Sequence, residues 1–102
     1  MDYQIVLSPS ARADLRDIVR YISIDNPDEA VRFGQFLISR TRLLAQSPEL
    51  GRIVPEFEDG LIREIIVRAY RIVYRVDHSK QLIEVIRFWH AARDVPEINV
   101  MD

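Results

Sequence analysis

Apolar residues recur along this chain with two periods. After a short apolar run, "DYQIVL" (2–7), Ala11, Leu15, Ile18 and Ile22 follow at intervals of four, three and four. That spacing marks one helical face, and Arg12, Asp14, Arg16, Asp17 and Arg20 fill much of the remainder. Ser8 can accept hydrogen bonds from first-turn N–H groups, and Pro9 fits the first turn because its missing N–H would be unpaired there anyway. Pro27 disfavours helical geometry at the residue before it, so the helix is predicted to stop near Asp25. "NPDE" (26–29) starts another helix. Asn26 caps it, Pro27 occupies the first turn, and Asp28 and Glu29 complement the positive end of the dipole. Ala30, Phe33, Leu37, Thr41 and Leu44 form its buried stripe, and "SP" (47–48) ends it. Residues 9–46 are therefore predicted to form an antiparallel helical hairpin with a very short turn.

The period then changes from near 3.6 to 2. "SPELGRIVPEFEDG" (47–60) reads as a loop, followed by strands at about 61–68, 70–76 and 81–88. Ala69 is the break between the first two, and "DHSK" (77–80) is the second turn. The element order β-α-α-β-β-β predicts an α+β domain, an antiparallel sheet with the N-terminal helical hairpin on one face. A length of 102 residues suits one domain, with 94–102 as an acidic tail.

The last two strands carry charges that a sheet buried on both faces would not tolerate cheaply. If Val76 opposes Gln81, then Tyr74 faces Ile83, Ile72 faces Val85 and Tyr70 faces Arg87. That side is mostly large and apolar and belongs under the helices. The other side holds Arg71, Val73 and Arg75 with Leu82, Glu84 and Ile86, and alternation adds Phe88 and His90. One sheet face is thus expected to be uncovered, basic and apolar. Arg75 can pair with Glu84 there, and Arg71, off the core face, is expected to be replaceable by Ala without loss of the fold.

Composition removes several chemistries. Cysteine is absent, which excludes a disulfide framework, a thiol nucleophile and a thiolate metal site. His78 falls in a turn and His90 beyond a strand, with no paired-His spacing, so no metal or cofactor is expected. There is no phosphate-binding glycine loop. No basic segment leads into a long apolar run at the N-terminus, and no apolar stretch approaches the roughly 18 residues of a membrane helix. A cytoplasmic setting with no membrane partner is expected. The net charge of −2 is uneven: residues 1–60 carry −3, 61–93 carry +4 and 94–102 carry −3. Thirteen of the 14 basic residues are Arg, which suits bidentate carboxylate or phosphate contacts better than Lys does. The remaining candidate chemistry is a trio on the uncovered face. Glu84 or His90 could take a 2′-hydroxyl proton from RNA while Arg71 stabilises phosphate charge.

"SPSARADLRDIVRYISIDNPDEA", "LLAQSPELGR", "LIREIIVRAYRIVYRVD" and "VIRFWHAARD" resemble the RelE/ParE superfamily of type II toxin-antitoxin toxins over about residues 3–94. The resemblance implies a small α+β toxin neutralised by an antitoxin encoded beside it. RelE-like members cleave mRNA on the ribosome, whereas ParE-like members poison DNA gyrase. Arg71 matches the arginine of the RelE-like nucleases, and His90 lies near the histidine some of them use. The lysines that precede the second strand in that branch are replaced here by "EFEDG" (56–60). Its C-terminal Tyr or Arg positions fall on Ala91 and Ala92 or in "VPEINVMD", which holds no Tyr. The resemblance therefore favours a ParE-like gyrase inhibitor, of the kind associated with plasmid stabilization and growth arrest. The alternative is a RelE-like ribosome-dependent mRNA endonuclease. The implied partners are a cognate antitoxin and DNA gyrase, with ribosome or mRNA under the alternative. Arg71, Val73, Arg75, Ile86, Phe88, His90 and Arg93 are the expected binding residues, together with the groove of the helical hairpin.

Overall fold

Ser8 makes two bonds that set the frame of the molecule. In the computed structural model, which describes residues 2–57, 59–93 and 95–98, its Oγ accepts from the Ala11 N–H at 3.0 Å and starts helix α1 (Pro9–Ser23). The same hydroxyl donates to the Ile86 carbonyl at 2.9 Å, tying the helix to the sheet. Helix α2 (Pro27–Arg42) begins at Asn26, whose Oδ1 accepts from the Glu29 N–H at 3.1 Å. A single 3₁₀ turn, Leu43–Ala45, follows it, where the stripe had predicted continued helix to 46. All five residues of that stripe are buried.

The sheet has five strands: β1 (Gln4–Leu7), β2 (Arg52–Ile53), β3 (Ile62–Val67), β4 (Tyr70–Asp77) and β5 (Leu82–His90). Their order is β1-β5-β4-β3-β2. The α+β fold with its helical hairpin on one face is the predicted one. Two details differ. β1 runs parallel to β5 because the helical hairpin carries the chain back to the starting end, and β2 forms inside the predicted loop, pairing Arg52 with Glu64 and Ile53 with Arg63. Tyr74 holds that loop down. Its fully buried hydroxyl donates to the Pro48 carbonyl at 2.8 Å and accepts from the Gly51 N–H at 2.9 Å. A Cβ at Gly51 would come within 2.4 Å of the Glu64 carbonyl oxygen, so glycine is required for this approach. Of the predicted acidic tail, 94 and 99–102 lie outside the described residues.

The β4–β5 register departs from the predicted one in two steps. Gln81 takes a φ of 50° and stays in the turn, so Val76 opposes Ile83 rather than Gln81. This slip by two residues keeps each side chain on its expected face. A bulge between Val73 and Tyr74 then changes the faces, with Tyr74 opposite Val85 but Val73 opposite Arg87. The extra residue is Ile86, whose carbonyl Ser8 binds.

Past the bulge every β5 side chain is inverted. Phe88, expected on the uncovered face, opposes Ile72 and joins the core with Ala11, Ile18, Phe33, Leu37, Val67 and Val85. His90 opposes Tyr70 on the helix side, while Arg87 and Trp89 take the far face. That far face is not bare. Val54 and Ile62 pack on Val73, with Phe57 and Ile98 against them, and Val73 and Ile86 are buried.

Replacing Ser8 with Ala removes the cap and leaves the bulged carbonyl without its hydroxyl donor. The expected loss is about 1–2 kcal/mol, read as a lower urea midpoint with an unchanged m-value.

Candidate functional site

β3 and β4 place Glu64 and Arg71 on the face away from the helices, two residues apart along the antiparallel ladder. The Glu64 side chain is fully buried. A buried carboxylate is costly unless it is paired and hydrogen-bonded, and here two guanidinium groups share it. Arg71 Nε donates to Oε1, and Arg52 Nε donates to Oε2 at 2.7 Å. The two remaining Arg71 nitrogens donate to Glu56, at 3.0 and 3.1 Å, so that carboxylate is gripped bidentately. Glu56 lies in a turn closed by the Phe57 N–H on the Val54 carbonyl at 3.1 Å. Val54 is buried and Phe57 partly buried on the same apolar layer, which holds Glu56 over the arginine.

These bonds shift the pair. Donation from Arg71 holds the Glu56 carboxyl below its usual range, against the opposing effect of burial. The Arg71 guanidinium is pushed further up, first by Glu56 and then, against desolvation, by Glu64. Arg71 is therefore a permanent cation with counter-ions supplied by the chain. Glu84 opposes Arg75, as expected from the sequence, and forms a partly exposed pair with it at 3.8 Å.

A second arginine cluster caps the end of β5. Pairing with β1 ends at Leu7 and Val85, and beyond it Asp14 of α1 takes the Phe88 N–H at 3.0 Å. The same carboxylate accepts from Arg87 Nε and one terminal nitrogen at 2.7 and 2.8 Å. Buried Trp89 carries both Arg87 and Arg93 against its ring, at 4.6 and 3.8 Å from the centroid.

His90 belongs to neither cluster. It stands edge-on to Tyr70, with ring centroids 5.2 Å apart, and its Nδ1 accepts from the Ala92 N–H at 3.1 Å. It lines a cleft of about 400 Å³ with Asp14, Asp17, Ile18, Tyr21, Tyr70, Phe88 and Arg93. Burial raises the Tyr70 phenol above its ordinary value. The trio of Arg71, Glu84 and His90 is thus not assembled. His90 is on the opposite face from Arg71, and Glu84 is displaced from it by four ladder positions, about 13 Å along a strand. Of the expected binding residues, Arg93 and His90 are exposed and Arg75 is partly exposed, whereas Arg71, Val73, Ile86 and Phe88 are buried.

Sequence reasoning missed Glu56, Glu64, Arg52, Asp14 and Trp89. Glu64 was legible. Folding β3 onto β4 across the 68–69 turn puts 64 opposite 73 and 66 opposite 71, so the acid falls on the arginine face. Among the described residues, no group of three His, Cys, Asp or Glu is placed to hold a metal ion, and no helix is long and apolar enough to cross a membrane.

Residues 5–95 match the family model described as ParE toxin of type II toxin-antitoxin system, parDE. The chain belongs to the ParE toxin family. It is a type II toxin-antitoxin toxin of the RelE/ParE superfamily. No curated protein sequence matches this toxin, but solved structures share its fold. The chromosomal ParDE system from P. aeruginosa aligns with a TM-score of 0.70 at 21% identity, over 86% of this chain and 95% of that one. The toxin-antitoxin complex RelBE2 from Mycobacterium tuberculosis aligns with a TM-score of 0.62 at 20% identity, over 88% and 99%. A mutant of E. coli toxin RelE in the free state aligns with a TM-score of 0.57 at 21% identity, over 90% and 86%.

Because Glu64 is buried, Arg71→Ala in this toxin is not the fold-neutral change expected from sequence. It should cost about 2–4 kcal/mol in chemical denaturation, whereas Arg75→Ala, at a partly wet pair, should cost under about 1 kcal/mol.

The Glu56 bond has its own pH signature. A carboxyl held below its ordinary value stabilises the fold above the unfolded value, 4.5 for glutamate, and loses that contribution as pH falls through the folded value. Glu56→Gln should therefore lower the melting temperature slightly at pH 7. The gap to wild type should close progressively below pH 4.5 in a series of thermal melts.

Proposed function

We propose that this toxin inhibits DNA gyrase and is neutralised by a cognate antitoxin in the cytoplasm. Membership of the ParE family supports the target. The observation that carries the reading against RNA cleavage is the state of the arginines on the far sheet face. Arg71 and Arg52 share Glu64, with Glu56 on Arg71 as well. Arg75 faces Glu84, Arg87 grips Asp14 and Arg93 lies on Trp89. A nuclease must offer cations to phosphate as charge develops, and these are committed to internal carboxylates or an aromatic ring. Of the two general bases that the sequence suggested, His90 is on the other side of the sheet and Glu84 is four ladder positions from Arg71, opposite Arg75.

An antitoxin partner is supported by the ParDE toxin-antitoxin system and the RelBE2 toxin-antitoxin complex among the structures with this fold. The outer groove of the helical hairpin, lined by Leu15, Val19, Gly34 and Ile38 among others and about 550 Å³ in volume, offers an apolar seat for an amphipathic helix. Arg75, His90 and Arg93 would contribute polar contacts from the end and rim of the sheet.

Induction in growing cells, paired with a purified gyrase supercoiling assay, tests the target. The expected outcome is filamentous growth arrest, a DNA-damage response and gyrase-dependent cleavage complexes, all suppressed by co-expression of the small protein encoded beside the toxin. Arrested translation with cut mRNA in ribosomes, and unaffected supercoiling, would reject gyrase in favour of the RelE-like activity.

A further inference from the structure

The turn over Arg71 has the features of a bound peptide. It is four residues, Val54, Pro55, Glu56 and Phe57, attached to the sheet through the Val54 N–H on the Ile62 carbonyl at 3.2 Å. Its acid is gripped through both oxygens by the arginine fork, and its flanking apolar side chains sit on Ile62 and Val73. Arg71 does not need the turn for its orientation. Glu64 orients Arg71 through Nε and is itself held by Arg52, so both terminal nitrogens keep their aim when Glu56 leaves. Trp89, opposite Arg71 on the neighbouring strand, bounds the site on one side.

We infer that Arg71 is the centre of a docking site for a carboxylate on a partner peptide with an acid between apolar residues, and that the Val54–Phe57 turn is its built-in competitor. The charge balance supports one carboxylate. Arg52, Glu64, Arg71 and Glu56 together sum to zero, and swinging Glu56 away leaves one positive charge over an apolar floor of Val73 and Ile62. A fork of this kind accepts phosphate as well. The occupant seen here, however, joins its carboxylate to two apolar anchors, which a peptide reproduces and a phosphodiester does not. The residual charge of one also gives little hold on a polyanion, and Glu84 on the same face would oppose it. An intramolecular competitor acts at an effective concentration on the order of millimolar, so it lowers the apparent affinity of any external peptide by the fraction of time the fork is free. The site stands on its own geometry. Naming the antitoxin as the protein that carries the peptide rests on the function proposed above.

The test uses the full chain, 15N-labelled, as wild type and Glu56→Gln, titrated with the blocked peptide Ac-Val-Pro-Glu-Phe-NH2 and followed at the Arg71 Nε–H and the Val73 amide. The expected result is saturable binding at least tenfold tighter to Glu56→Gln than to wild type. The peptide with Gln in place of Glu should cause no comparable shift, and inorganic phosphate should bind more weakly than the acidic peptide. At saturation, wild type should also show the Phe57 amide leaving its turn, a readout that holds even where Glu56→Gln folds poorly. Equal affinity for the two proteins, equal binding of the Gln peptide, or a Phe57 amide unmoved at saturation would each overturn the inference. Tighter binding of phosphate would reassign the fork to a nucleic-acid ligand and overturn it too. Toxicity in cells is scored separately, so failure of the gyrase reading leaves the peptide result standing.

Discussion

A carboxylate with no access to water stands near the middle of β3, and much of the far side of this molecule exists to satisfy it. Glu64 needs cations at hydrogen-bonding distance, and one is not enough for two oxygens. Arg71 comes from the neighbouring strand at no topological cost. Arg52 has to be brought from the long connection between the helices and the sheet, and doing so draws that segment into register as a two-residue strand. Tyr74 and Gly51 hold the same segment from beneath, with the phenol bridging two loop backbone groups. Burial pushes that phenol well towards its neutral form, with the Gly51 N–H acting the other way, so it remains a donor to Pro48 across the neutral range. The loop is therefore ordered by one buried ion network above the sheet and one buried hydroxyl below it.

The near side follows a different logic, and it was the more legible of the two. Helix starts at Ser8 and Asn26, the stop before Pro27 and the stripe from Ala30 to Leu44 are local events. Each depends on residues within one or two turns, and each appears in the structure as read. The strands of the β4–β5 hairpin are also where alternation placed them to within two residues. What alternation could not supply is the inserted residue at Ile86. A bulge is decided by what the displaced carbonyl can bond to, and that partner is Ser8, 78 positions earlier in the chain. One hydroxyl thus both begins the helical layer and permits the inversion that moves Phe88 under the helices and Trp89 to the far face.

That inversion explains why the candidate site was misread. Counting past the bulge in an unbroken period of two puts His90 on the same face as Arg71 and makes a nuclease-like trio. The real chain separates them by the thickness of the sheet. Similarly, "EFEDG" reads in sequence only as acids standing where the RelE-like branch has lysines, because a charge seen along a chain has no visible partner. In space Glu56 is a counter-ion of Arg71. Arg71, read in sequence as a cation for phosphate, instead meets carboxylates of β3 and of a turn 15 residues upstream.

A face built from paired charges differs in kind from a face of bare ones. Bare arginines attract any polyanion at long range and lose that attraction as salt rises. Paired arginines have little far field, because each guanidinium is cancelled within hydrogen-bonding distance. They can be engaged only by a group that replaces a counter-ion at the same geometry, or by a surface that accepts the pairs intact. Selection then rests on shape, on the spacing of apolar anchors around the ion pair and on the cost of leaving Glu64 or Glu56 without a partner. If Glu56 yields its place as inferred, the same arginines become available to a partner whose carboxylates arrive with the right apolar neighbours.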